Sequence, residues 1–175
     1  MSQWNTRGLR GSAFEEMINI TNQLYWQHGL AVIQKVPTPI TPIEVSNRDR
    51  IITKAFFGEK STVDFIGVVQ GIAICFDAKE TQSSNFPLRN IHAHQMAFME
   101  AFIQQEGIAF LLIHFKAKDE MFFLPWEQIK RYYDLSLKGG RKSIPYSDFD
   151  PAYLVRNGGG FPVHYLEAIN VHLTK

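Results

Sequence analysis

Ser61-Thr62-Val63-Asp64-Phe65-Ile66-Gly67-Val68-Val69, then Gln70-Gly71, then Ile72-Ala73-Ile74-Cys75-Phe76-Asp77-Ala78-Lys79 reads as two apolar, β-branched runs around a two-residue turn, the signature of a β-hairpin. A turn of that length sets the register. Asp64 then lies opposite Asp77, Thr62 opposite Lys79 and Ile66 opposite Cys75. Strand alternation puts these six side chains on one face. The other face, Val63, Phe65, Ile72, Ile74, Phe76 and Ala78, is core, with Gly67 its one gap. A bulge in either strand would shift the pairing by one residue.

Directly opposed residues have Cβ atoms about 4.5 to 5.5 Å apart, a separation at which two carboxylates repel. A hard divalent cation with oxygen ligands relieves that repulsion. Mg²⁺, with Mn²⁺ as a substitute, is held by one or two carboxylates and takes its other ligands from water and phosphate. Such a metal activates water and neutralises charge on a phosphate, and the Lys79 ammonium on the same face adds to that stabilisation. An ordinary cross-strand ion pair between Asp64 and Lys79 is the competing reading. The facing carboxylates in an apolar hairpin favour the cation.

Outward from the hairpin, Ser12-Ala13-Phe14-Glu15 has capping-box spacing and opens a first helix that runs to Gly29. Glu15 and Glu16 are weak site candidates, because the helix dipole already favours acids in a first turn. Leu30 to Val36 reads as a strand that stops at Pro37-Thr38-Pro39. Pro37 to Arg50 reads as a protruding loop or arm, with a strand resuming at Ile51 to Phe57. After the polar loop Gln82 to Asn85, a second helix is predicted from about Asn90 to Glu106, its inner face made by Ile91, Phe98, Phe102 and the amide Gln95. A buried amide needs partners, so Gln95 either brings its oxygen toward the metal, directly or through water, or bonds to backbone. His92 and His94, two apart on a helix, do not face each other, which argues against paired zinc ligands. Ile108 to Phe115 reads as a central strand with Glu120 to Leu124 beside it, and Pro125 opens a third helix to about Leu137. Val163 to Leu173 reads as a strand or a short helix.

The chain has 175 residues, 45% hydrophobic and 20% charged, which suits one compact domain spanning 1–175. No apolar run approaches the roughly 18 residues of a membrane span, and the N-terminus lacks a secretory pattern, so a cytoplasmic protein is expected. The single cysteine, Cys75, excludes a disulfide framework and a multi-thiolate zinc site within one chain. A net charge of only +1 means that any nucleic-acid surface must come from local clusters. One such cluster is Lys130, Arg131, Lys138, Arg141 and Lys142 against the single acid Asp134, although a solvated helix face explains most charge runs.

Three segments, Ser61-Thr62-Val63-Asp64, Phe76-Asp77-Ala78-Lys79-Glu80-Thr81 and Phe86-Pro87-Leu88-Arg89-Asn90-Ile91-His92-Ala93-His94-Gln95, together resemble RecU-type Holliday junction resolvases. Arg10-Gly11, Lys35 to Pro39 and Gly140 to Ile144 extend the resemblance over most of the chain. It implies an α/β fold of the restriction-endonuclease-like class, a mixed central sheet flanked by helices, with a protruding stalk over about residues 37–56. It also implies a homodimer that resolves four-way DNA junctions by paired nicks in recombination and repair. Metal positions of the family fall on Thr62, Asp64, Asp77 and Gln95, and its transition-state lysine falls on Lys79. Arg48 and Arg50 in the stalk, with Arg141 and Lys142, become the expected DNA contacts. Asp77 stands where the family usually has glutamate, shortening the reach by one methylene, and the N-terminal arm is shorter than usual. A repair or restriction nuclease acting on duplex DNA and a non-catalytic junction-binding protein are the competing functions.

Overall fold

The computed structural model describes residues 12–46, 51–58 and 62–175. Ser12 caps α1 (Ala13–Gln27), its Oγ accepting from the Glu15 N–H at 3.2 Å. Only that half of the predicted capping box forms, because the Glu15 carboxylate turns to Lys35 instead.

A six-stranded mixed sheet organises the fold in the order β1-β4-β5-β7-β8-β10. Its strands are β1 (Ala31–Lys35), β4 (Phe65–Val69), β5 (Ile72–Thr81), β7 (Ile108–Phe115), β8 (Glu120–Pro125) and β10 (Leu154–Val155). β5 and β7 run parallel, and the other neighbours in the sheet are antiparallel. A parallel pair needs a crossover connection, and α2 (Ala93–Ile103) supplies it. The eight residues of β7 are buried except for the half-exposed His114, as a continuous apolar run predicts.

The hairpin register is the predicted one, with Ile66 opposite Cys75 and Val69 opposite Ile72. Gln70 and Gly71 both have positive φ, 50° and 88°, the mirror-image turn whose twist suits a two-residue hairpin. Gly67 is a requirement rather than a gap. A Cβ there would meet the Val32 carbonyl oxygen at 2.3 Å and the Ile33 Cα at 2.7 Å, so only glycine lets β1 lie against β4.

Two apolar layers cover the sheet. On one side Phe65, Ile74 and Phe76 pack with α1 and with α4 (Leu166–Leu173), which resolves the ambiguous tail as a helix. Phe65, Phe76 and Phe110 stack across three strands at 4.8 and 4.7 Å between ring centroids. That ladder ties hairpin register to the parallel β5–β7 register. On the other side Cys75, Leu111 and Ile113 pack with Met96 and Met99 of α2 and with α3 (Trp126–Leu137). Here the structure corrects the predicted helix face: Gln95, Met96 and Met99 are the buried residues of α2, while Phe98 and Phe102 are half-buried.

The arm is more ordered than a loop. β2 (Ile40–Ser46) and β3 (Ile51–Phe57) form a separate two-stranded antiparallel ribbon that, among the described residues, pairs with no strand of the main sheet. Ile43, Val45, Ile51 and Phe56 on it are exposed. A second small ribbon, β6 (Asn85–Pro87) with β9 (Ser143–Pro145), was not anticipated; it carries the chain into a short 3₁₀ turn ahead of α2.

Gly71→Ala adds a Cβ in open space, so its cost is the left-handed backbone alone, about 1 kcal/mol. Urea unfolding should show a lowered midpoint with unchanged slope, whereas Gly67→Ala, which forces backbone apart, should lose considerably more.

Candidate active site

Asp77 occupies the interior of β5 with 0% exposure, opposite Leu111 of the parallel neighbour β7. A carboxylate so placed must be paired or it costs several kcal/mol. Its Oδ1 accepts from the Gln95 Nε2 at 2.9 Å. Its Oδ2 lies against the Lys79 ammonium, two residues along the same strand. Oδ2 nonetheless accepts no hydrogen bond among the described residues.

Asp64 sits just outside the hairpin ladder, which ends at the Phe65–Phe76 pair. Its Oδ2 accepts from the Ala78 N–H at 2.9 Å, and its carbonyl accepts from the Val36 N–H at 2.8 Å. Burial, and after it the charge of Asp77, push the Asp64 carboxyl up to about 7, against the opposing pull of the Ala78 N–H. Lys79 pairs with Asp77 rather than across the strands with Asp64.

Thr62 departs from its predicted position. The chain bends at Thr62 and at Asp64, and Val63 packs on the Cys75 side of the sheet, not with Phe65. Strand alternation therefore does not extend to Thr62, which is half-buried where the chain enters the site. Gln95 is brought to the site, but with its nitrogen towards Asp77. Its Oε1 accepts from the His92 N–H at 3.0 Å. The backbone reading of that amide holds, through Oε1, and the end turned to Asp77 is the nitrogen rather than the oxygen expected there.

His92 is the N-cap of α2, with extended φ and ψ of −87° and 150°. Helical spacing does not apply to it, and its ring stacks on that of His94 at 5.4 Å, contrary to the expectation that the two do not face. The signal overlooked in the sequence is the cap-x-x-Gln spacing of His92 and Gln95, hidden because histidine is an unusual N-cap. Glu15 is occupied with Lys35.

Among the described residues no three His, Cys, Asp or Glu side chains converge to cage a metal. Two carboxylates with an orphaned oxygen and a buried amide fit Mg²⁺ better than zinc, since Mg²⁺ keeps several waters and needs one or two carboxylates. Of the expected DNA contacts, Arg141 is exposed. The Lys142 ammonium bonds the Ser136 carbonyl in the last turn of α3, and the Lys142 carbonyl accepts from the Leu88 N–H at 3.0 Å. Arg48 and Arg50 lie outside the described residues.

Because the folded protein raises the Asp64 pKa from 3.8 to about 7, it binds a proton more tightly than the unfolded chain does. That contribution to stability is complete below about pH 4 and is lost as pH rises through 7. In chelator at pH 8, Asp64→Asn should melt about 2–4 °C above the wild type, the shift that about 1 kcal/mol gives in a domain of this size. At pH 4 the two should melt together; equal melting at both pH values would contradict the assignment.

The family model for RecU, recombination protein U, matches residues 9–171. A Holliday junction resolvase RecU from Streptococcus oralis is 41% identical, the match covering 98% of this chain and 88% of that protein. The Lactococcus lactis subsp. lactis protein of the same name is 44% identical over 93% of this chain and 78% of its own. A solved structure of the Archaeoglobus fulgidus Holliday junction resolvase Hjc superposes with a TM-score of 0.42 and 13% identity, covering 67% of this chain and 78% of that one. By the family match and by these identities over almost its full length, the chain belongs to the RecU family.

Proposed function

We propose that this chain is a divalent-metal-dependent endodeoxyribonuclease that resolves Holliday junctions in recombination and repair, acting as a homodimer. The observation that carries the reading is the buried Asp77, whose Oδ2 has an ammonium beside it but no hydrogen bond, facing a second carboxyl raised to about 7. A carboxylate pair left under-compensated in this way is what a cation site needs before it is loaded. The family membership and the names of the relatives make the substrate a four-way junction.

Asp64 and Asp77 would hold the cation, with Gln95 and Thr62 supporting them. When bound, Mg²⁺ supplies Lewis acidity towards the phosphate and a water of lowered pKa. Asp77 fixes the Lys79 ammonium on the same face of β5, and Lys79 stabilises the negative charge that builds on the phosphate oxygens. The Ala78 N–H orients Asp64. Two matched nicks on a symmetric junction need two sites related by a two-fold axis, which a homodimer provides. Arg141 and the exposed Arg131 of α3 would meet backbone phosphates, so affinity should fall steeply with salt.

No helix among the described residues is long and apolar enough to cross a membrane. The cytoplasmic location belongs to the same proposal, because recombining DNA is an intracellular substrate.

Lys79→Ala should lower junction nicking roughly 10²–10³-fold while leaving junction binding in place, and Asp77→Ala should abolish nicking. Chelator should silence the wild type and Mg²⁺ or Mn²⁺ restore it. Linear duplex of the same sequence should be cut far more slowly. If Asp77→Ala nicks junctions at the wild-type rate, the pair is only structural and the nuclease reading fails.

A further inference from the structure

Gln95 is buried to 7% exposure, and each end of its carboxamide meets a group of fixed character. The His92 main-chain N–H can only donate, so it selects Oε1 at 3.0 Å. At the other end Nε2 donates to the Asp77 Oδ1 at 2.9 Å. Turning the amide over would set donor against donor and oxygen against oxygen, with both faults buried. The orientation is thus locked from both sides, and the end offered to the site is a donor. A hard cation takes oxygen.

We infer that Gln95 serves this site as a positioning residue, an N–H donor that holds the Asp77 carboxylate in place for the cation, and that the His92 main-chain N–H sets its direction. The inference rests on Asp64 and Asp77 being the cation's carboxylates. It separates Gln95 from the metal position onto which the family resemblance maps it. α2 thereby becomes part of the site through its first turn. The bend of chain that starts the helix also aims the amide, so the two cannot vary independently.

The consequence has an opposite sign in the two roles. If Gln95 aims Asp77, freeing its oxygen lets the amide swing and weakens metal binding. If Gln95 binds metal through Oε1, the His92 N–H competes with the cation, and removing it strengthens binding. His92→Pro removes that N–H together with the imidazole and leaves the backbone path unchanged, since φ at 92 is −87° and Ile91 before it is extended at −104° and 120°, conformations that proline and its predecessor accept. His92→Ala keeps the N–H and is the control for loss of the ring.

In Mn²⁺ titrations of the full chain by calorimetry, His92→Ala should bind within about twofold of wild type, and His92→Pro about 10-fold or more weaker, the usual effect of losing a group that orients a ligand. A helix cap with no further role would lower the melting temperature of His92→Pro and leave Mn²⁺ affinity alone, which would overturn the inference. Binding as tight as or tighter than wild type would overturn it as well. Should His92→Pro not fold, the ¹⁵N-labelled wild type decides: the Gln95 carboxamide protons should stay protected from solvent exchange on saturation with Mg²⁺, and loss of that protection would refute the donor role. Wild type that binds no Mn²⁺ at all is a different result, one that removes the cation site and this inference with it.

Discussion

A negative charge inside a sheet is tolerable only if the surrounding chain has been arranged for it. Asp77 is that charge, with none of its surface exposed. Every element near it is constrained by it. β5 must carry Lys79 two residues on, so that the ammonium returns along the same face. α2 must start at His92 and no later, so that Gln95 falls in its first turn and its amide reaches Oδ1. The chain entering β4 must bend at Asp64, so that a second carboxyl reaches the Ala78 N–H instead of continuing the ladder.

These arrangements do not neutralise the pair fully. One Asp77 oxygen is left without a hydrogen bond, and Asp64 is pushed towards neutrality by burial and by its neighbour. Residual imbalance of this kind is found where groups titrate or bind ions for a purpose. Stability and function therefore pull against each other here. The phenylalanine ladder from Phe65 through Phe76 to Phe110 lies on the opposite face of the same strands. It supplies a rigid apolar backing at the place where the polar face is under strain.

The ribbon of β2 and β3 and the main sheet show two different uses of strand structure. In the central strands β5, β7 and β8 the apolar residues are mostly consumed by packing on both faces, while Val32 and Val68 at the β1–β4 edge stay exposed. In the ribbon, Ile43, Val45, Ile51 and Phe56 stay exposed, and a two-stranded hairpin gains little stability by itself. Charge follows a similar division. Lys142 and Arg141 beside it are both exposed, but the Lys142 ammonium is engaged by the Ser136 carbonyl at the α3 terminus.

Local chemistry in the sequence was enough to determine the hairpin, because a two-residue Gln-Gly turn admits one register and alternation follows from pleat geometry; Ile66 opposite Cys75 is the pair that spacing predicts. The same holds for β7 as a central strand and for the helix capped by Ser12. What depended on chain segments far apart was decided by the tertiary structure alone. Thr62 and Val63 left the alternation because the chain bends where β1 and β4 meet. The paired ribbon of β6 and β9 joins segments near residues 86 and 144, too short and too distant to show a period. The direction of the Gln95 amide needed both the cap geometry at His92 and the position of Asp77 on another element. Sequence spacing reports which residues share a strand or a helix face; which end of a side chain meets its partner is settled only when the partners, donors or acceptors, are packed around it.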